Sequence, residues 1–262
     1  MKDSAKTFKI NDCSILLNER KIAKCLATII LALLFFNVVN IAVQNYMPLD
    51  ALQARFIDRF FNFNGENNFP SFFSTLLLLF ASVLLFFVYT HVKEESRTRK
   101  EWMVLGVVFA FLTLDENIQI HETISKFTRP LISDDFSGLL YWSWVLPYFL
   151  FSIAIALYLL KFVLALPHIT RNLFFLSAFL FISGALGLEL IEGYVYKSYG
   201  LNHLYNQILY CVEELMEMAG VTIFIYSLLQ YINAFAAEIE QTAELKLIEE
   251  VPESEYIDSK PV

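Results

Sequence analysis

Six stretches of the sequence, at residues 26–46, 70–91, 102–120, 139–164, 172–196 and 205–232, are as long and as apolar as a helix must be to cross a bilayer. A hydrocarbon core of about 30 Å needs about 20 such residues at a helical rise of about 1.5 Å each. Within lipid every backbone N–H and C=O has to be satisfied by the protein itself, which leaves the helix as the form these segments take. The sequence therefore predicts an all-α fold: a polytopic membrane helical bundle of six transmembrane helices over residues 26–232. A cytoplasmic N-terminal segment, 1–25, should precede it and an acidic cytoplasmic tail, 233–262, should follow.

Composition agrees, because 57% of the residues are hydrophobic and 18% charged, too little charge to clothe a soluble domain. The net charge of −8 is concentrated after Ala237, where Glu238, Glu240, Glu244, Glu249, Glu250, Glu253, Glu255 and Asp258 face only Lys246 and Lys260. That tail reads as a solvated helix end and a disordered stretch. No basic surface interleaved with aromatics is present, which argues against a nucleic-acid partner. Cys13, Cys25 and Cys211 lack paired spacing, so neither a disulfide framework nor a thiolate metal knuckle is expected. The first apolar run has a long polar lead and no small-residue cleavage pattern after Val43, so it should stay as an anchor.

Lys and Arg are retained on the cytoplasmic side. Lys2, Lys6, Lys9, Arg20, Lys21 and Lys24 precede the first run, Lys93, Arg97, Arg99 and Lys100 follow the second, and Lys161 and Arg171 flank the loop after the fourth. The opposite side has Arg55, Arg59, Lys126, Arg129 and Lys197. Both termini are thus expected in the cytoplasm, and the membrane is expected to be a bacterial-type inner (plasma) membrane. Trp102, Trp142 and Trp144 fall at run boundaries, where an aromatic belt would place them. Pro70 suits the first turn of the second helix, and Pro147 is expected to bend the fourth. Between the first two runs, residues 50–63 set Leu52, Phe56, Phe60 and Phe63 at helical spacing, as in a helix lying on the outer surface or packed over the bundle.

The informative residues are acids inside the runs. Asp115, Glu116, His121 and Glu122 close the third, Glu189 and Glu192 lie in the fifth, and Glu213, Glu214 and Glu217 lie in the sixth. No Lys or Arg shares those runs. An ionised carboxylate in hydrocarbon costs several kcal/mol, so these groups must carry protons, meet water or bind a cation. The expected topology puts all three sets at one level, roughly 5 to 15 Å beneath the outer surface. Helical phase also gathers them, since Asp115, Gln119 and Glu122 share a face, as do Glu189, Glu192 and Tyr196, and Tyr210, Glu213 or Glu214, and Glu217. Ser183 and Gly187 form a small-x-x-x-small pair for close helix approach, and Gly220 offers the same. Asn64-Gly65-Glu66-Asn67-Asn68 reads as a turn and helix cap that could lend an oxygen from above.

Several carboxylates with His121, and His203 in an outer loop, make a donor set suited to a divalent metal: iron, manganese or zinc. Such a site would serve metal-dependent hydrolysis or oxidation of a lipid-soluble substrate, with unligated acids as acid or base. The E-x-x-H repeat of soluble di-iron bundles is absent. Two other functions remain open at this point: a proton- or cation-coupled transporter or channel, and a structural or assembly subunit pairing with a basic membrane partner. The almost wholly apolar runs Val104 to Leu112, Leu173 to Ile182 and Val221 to Leu229 argue for a pocket closed at the bottom over a continuous pathway.

Overall fold

The structure is a computed structural model that describes residues 18–46, 51–92, 98–132, 134–200 and 203–249, with the backbone alone for 51 and 236–249. Cys13, Lys2, Lys6, Lys9, Asp50, Lys93, Arg97 and the tail from Glu250 lie outside the described residues. The described residues form helices and no strands: α1 (Glu19–Tyr46), α2 (Ala51–Phe61), α3 (Phe69–His91), α4 (Arg99–Ile118), α5 (Ile120–Thr128), α6 (Val145–Ala165), α7 (His168–Ile182), a π-helical turn (Ser183–Leu188), α8 (Glu189–Tyr199) and α9 (Leu204–Glu249). By length and composition α1, α3, α6 and the continuous run His168–Tyr199 are apolar enough to cross a membrane. A fifth span results if the pair α4 and α5, bent by 79°, counts as one. These features point to a membrane protein.

α9 lies against α1, α3, α7, α8 and the π turn. From Met218 to Leu229 it buries Val221, Phe224, Ile225 and Leu228 in a core shared with Leu77, Leu85 and Phe174. Trp102 sits in the same core, fully buried, with its ring centroid 4.9 Å from Phe162 and 5.0 Å from Tyr231. Its indole fills the core, so the boundary-belt reading of Trp102 is corrected, and Trp144, 8% exposed, is likewise an interior residue.

Local chemistry sets the helix ends. Asn68 caps α3 through a reciprocal bond pair with Ser71, and Pro70 occupies the first turn as expected. Pro147 falls in the first turn of α6, where its missing N–H costs nothing, so it is no bend. α4 stops at Gln119, whose backbone is left-handed (φ 56, ψ 51) while its N–H still reaches the Asp115 carbonyl at 2.8 Å. The third apolar run is therefore broken at its acid-bearing end. α2 packs on the bundle: Asp58 accepts hydrogen bonds from Asn40 and Gln44 of α1, and Phe61 stacks on Phe36 at 4.6 Å. Leu52 and Phe56 on its other side stay exposed.

Close approach is made at Gly220, as expected, and at Gly184 in place of Gly187. A Cβ at Gly187 would meet only Ser183 of its own turn, at 4.0 Å. At Gly184 it would lie 3.1 Å from the Glu213 carbonyl oxygen and 3.2 Å from Glu217 Cγ, and at Gly220 it would lie 3.0 Å from backbone atoms of Ser177 and Phe181. The pair that lets α7 and the π turn seat on α9 is thus Gly184 and Gly220.

Candidate metal centre

The π turn places α8 so that Glu189 and Glu192, one turn apart in its first residues, face Glu213 on α9. One oxygen from each of these three carboxylates lies within 4.8 Å of the others, the one such group among the described residues. Three carboxylates so close hold either protons or a cation between them, since like charges at that separation disfavour full ionisation. Glu192 is 1% exposed, and its Oε1 has no hydrogen-bond partner. The hydroxyl of the buried Tyr210, one turn before Glu213, is also unpartnered. Both residues line the cavity described next. A buried, unsatisfied carboxylate oxygen costs a few kcal/mol, so beside two more acids it is a place for a shared proton or a cation.

A cavity of about 570 Å³ extends from this triad. Eight acids and one imidazole singled out from the sequence line it: Asp115 and Glu116 from α4, His121 and Glu122 from α5, Glu189 and Glu192 from α8, and Glu213, Glu214 and Glu217 from α9. His203 does not line it, and instead sits between the rings of Tyr199 and Tyr205. Leu78, Leu112 and Phe181 give the cavity apolar lining beside the acids.

The break at Gln119 gives His121 its place. Asp115 Oδ1 accepts from the His121 backbone N–H at 2.8 Å and from the Tyr148 hydroxyl at 3.0 Å, while Oδ2 lies 3.3 Å from His121 Nδ1. A carboxylate taking the Nδ1–H leaves the imidazole lone pair on Nε2, the arrangement typical of a supported ligand or proton acceptor. Trp144 joins this group to the triad: its indole N–H donates to Glu189 Oε1 at 3.2 Å, and its ring lies 4.9 Å from that of His121. Ser143 fixes the approach of Trp144 by bonding Thr128 at 2.7 Å and the Ser125 carbonyl at 3.2 Å.

Several lining residues carried weaker signals in the sequence. Glu66, in the turn before α3, reaches the cavity and bonds Gln119. Burial pushes its carboxyl above the usual range, against the pull of Gln119 and His121. The Asn64–Asn68 run was the available clue. Tyr148 and Trp144 had only their place near a helix start to mark them. Lys126 and Arg129 line the mouth. Arg129 is committed to the Leu140 and Tyr141 carbonyls at 3.0 and 2.8 Å and to Asp135 at 3.2 Å. Asp135 also takes Lys197 of α8 at 2.7 Å, which clasps the loop before α6 to α8. Those bonds, Lys197 first and then Arg129, hold the Asp135 carboxyl below its ordinary value. Gly193 completes the clasp, since a Cβ there would lie 2.5 Å from the Gly138 carbonyl.

No curated protein and no solved structure matches the chain. Over residues 25–231, from the start of α1 to the last turns of the buried part of α9, the sequence matches one family, and on that extent the chain belongs to the family described as a domain of unknown function (DUF8692).

Proposed function

We propose that the chain is a six-span membrane protein whose cavity binds a divalent metal and uses it to hydrolyse or oxidise a lipid-soluble substrate. The observation that carries this reading is the Glu189, Glu192 and Glu213 triad, with an unpartnered Glu192 oxygen, buried beside an imidazole that Asp115 holds. Six spans follow when α4 and α5 count as one broken span and residues 205–232 of α9 as another; the acids of α9 lower its hydropathy because they face the cavity. With Lys and Arg as distributed in the sequence, both termini are then cytoplasmic and the cavity opens on the outer side of a bacterial-type inner membrane.

Glu189, Glu192 and Glu213 are the metal ligands, and His121 is the nitrogen donor within the same cavity. A set rich in carboxylates with one imidazole suits iron or manganese ahead of zinc. Bound there, such an ion supplies an activated water or a redox centre. Glu116, Glu122, Glu214 and Glu217 remain to orient substrate and to take or give protons, while Trp144 and Tyr148 hold Glu189 and Asp115 in place. A cation pathway is less well supported, because Val221, Phe224, Ile225 and Leu228 close the core beneath the acids.

The test is elemental mass spectrometry on protein purified in detergent without chelator, beside a Glu189→Gln, Glu213→Gln double variant. Near-stoichiometric iron, manganese or zinc that the variant lacks is the expected result. No metal in either protein, after each ion is added back, overturns the reading.

A further inference from the structure

A second cavity, of about 340 Å³, adjoins the first, and Glu66 and Glu116 line both. Its walls are the end of α4 at Asn117 and the start of α3, where Phe69 and Phe72 are 52% and 59% exposed. The same exposed side of α3 continues through Leu76, Leu79 and Val83, the side that faces lipid if α3 spans the membrane. The groove thus connects the lipid-facing surface of α3 with the acid cavity. On the α3 side its hydroxyls are engaged within the helix start: Thr75 donates to the Ser71 carbonyl at 2.9 Å, and Ser71 is bonded to Asn68. No Lys, Arg or His lines it among the described residues, so its only charged groups are the two carboxylates at its inner end.

We propose that this groove is the lateral access route to the cavity and that it takes a single-tailed amphiphile with a cationic, hydrogen-bond-donating head. The ammonium lies between Glu66 and Glu116, and the hydrocarbon tail runs past Phe69 and Phe72 toward lipid. Charge complementarity selects the head: the two carboxylates are the only charged groups in the lining of the groove, so an amine meets opposite charge there, whereas a phosphate or fatty-acid carboxylate meets only like charge. Apolar tail and phenylalanine walls supply the rest of the contact without a specific length requirement. The proposal deepens the reading of the cavity as a reaction site for lipid-soluble molecules, and does not require the metal to be present.

Labelling of full-length protein in detergent with a long-chain alkylamine that carries a diazirine in its tail, against a fatty acid of equal length and the same diazirine, tests it. The amine should label peptides covering Phe69–Thr75 and Glu116–Ile118, about tenfold more than the acid, the preference that one charge-assisted hydrogen bond supports. Thr75→Trp and Asn117→Trp, which fill the groove from opposite walls, should each abolish labelling, and either one suffices if the other fails to fold. Leu79→Trp, one turn farther along the exposed side of α3, should leave labelling intact. Equal labelling by the two probes, or labelling untouched by both groove-filling variants, overturns the proposal. Metal content measured on the same samples keeps the two readings apart: labelling without metal condemns the metal site alone, and metal without labelling condemns the groove alone.

Discussion

From Met218 to Leu229, α9 turns an apolar side into a core with Leu85, Trp102 and Phe174, whereas from Tyr210 to Glu217 the same helix turns a tyrosine and three carboxylates toward a cavity. The lower stretch gains from packing, including the nearly parallel stack of Phe109 on Phe224 at 4.6 Å. The upper stretch gathers carboxylates that repel one another when ionised, with Glu189 and Glu192 of α8 set against Glu213. Unless shared protons or a cation offset that repulsion, ionised acids there lower stability. The comparison therefore predicts effects of opposite sign at the two ends of the bundle.

The largest effect belongs to the packed end. Trp102→Ala removes a fully buried indole and should cost roughly 3–5 kcal/mol of stability in denaturant unfolding, the range for large aromatic truncations in a core. A cost near zero would break the comparison. At the acid end, Glu192→Met keeps the volume and removes a buried unsatisfied oxygen. With chelator present, that variant should be more stable than the parent by roughly 1–3 kcal/mol, the cost ascribed to an unpaired buried polar group. Destabilisation there would mean that the carboxylate is satisfied in the metal-free protein.

A smaller effect separates two glycines of the π turn. Gly184→Ala must displace α9 at Glu213 and should cost about 1 kcal/mol, the low end of overpacking penalties, and weaken metal retention. Gly187→Ala meets nothing beyond its own turn and should be neutral or gain a few tenths of a kcal/mol, up to about 1, from helix propensity. The smallest effect lies at the mouth. Asp135 has a depressed folded-state pKa because Lys197 and then Arg129 bind its ionised form. Its contribution is present above the ordinary Asp range and is lost as pH falls through the folded value. Hydrogen-exchange protection at the amides of Phe136 to Tyr141, taken relative to the intrinsic rate at each pH, should accordingly fall on acidification, and Asp135→Asn should show the low protection already at neutral pH.

The apolar runs and the acids within them were legible because each depends on residue type and spacing alone. Runs of about 20 apolar residues specify helices whatever they pack against. Acids at i and i+3 or i+4 share a face before any partner is known, which is how Glu189 with Glu192 and Glu213 with Glu217 could be assembled in advance, whereas the face expected for Asp115, Gln119 and Glu122 is broken by the bend at Gln119. What escaped depends on tertiary context. Gln119 adopts a left-handed backbone with no glycine to announce it, because the Asp115 carboxylate and the Glu66 turn hold the break from outside the local sequence. The π turn has no sequence signature beyond small residues, so Gly187 and not Gly184 was the spacing that stood out. Trp102 and Trp144 lie at run boundaries, as belt residues do, and only packing distinguishes an interior indole from one at a lipid surface.

The central claim is that the triad of α8 and α9 holds a metal. Anomalous diffraction from crystals of the purified protein, collected above and below the edge of the metal found by elemental analysis, tests it most directly. The account predicts one difference peak enclosed by Glu189, Glu192 and Glu213, at about 2.0–2.2 Å from a carboxylate oxygen of each. A map with no peak there from metal-loaded protein, or with the ion bound elsewhere, would contradict it.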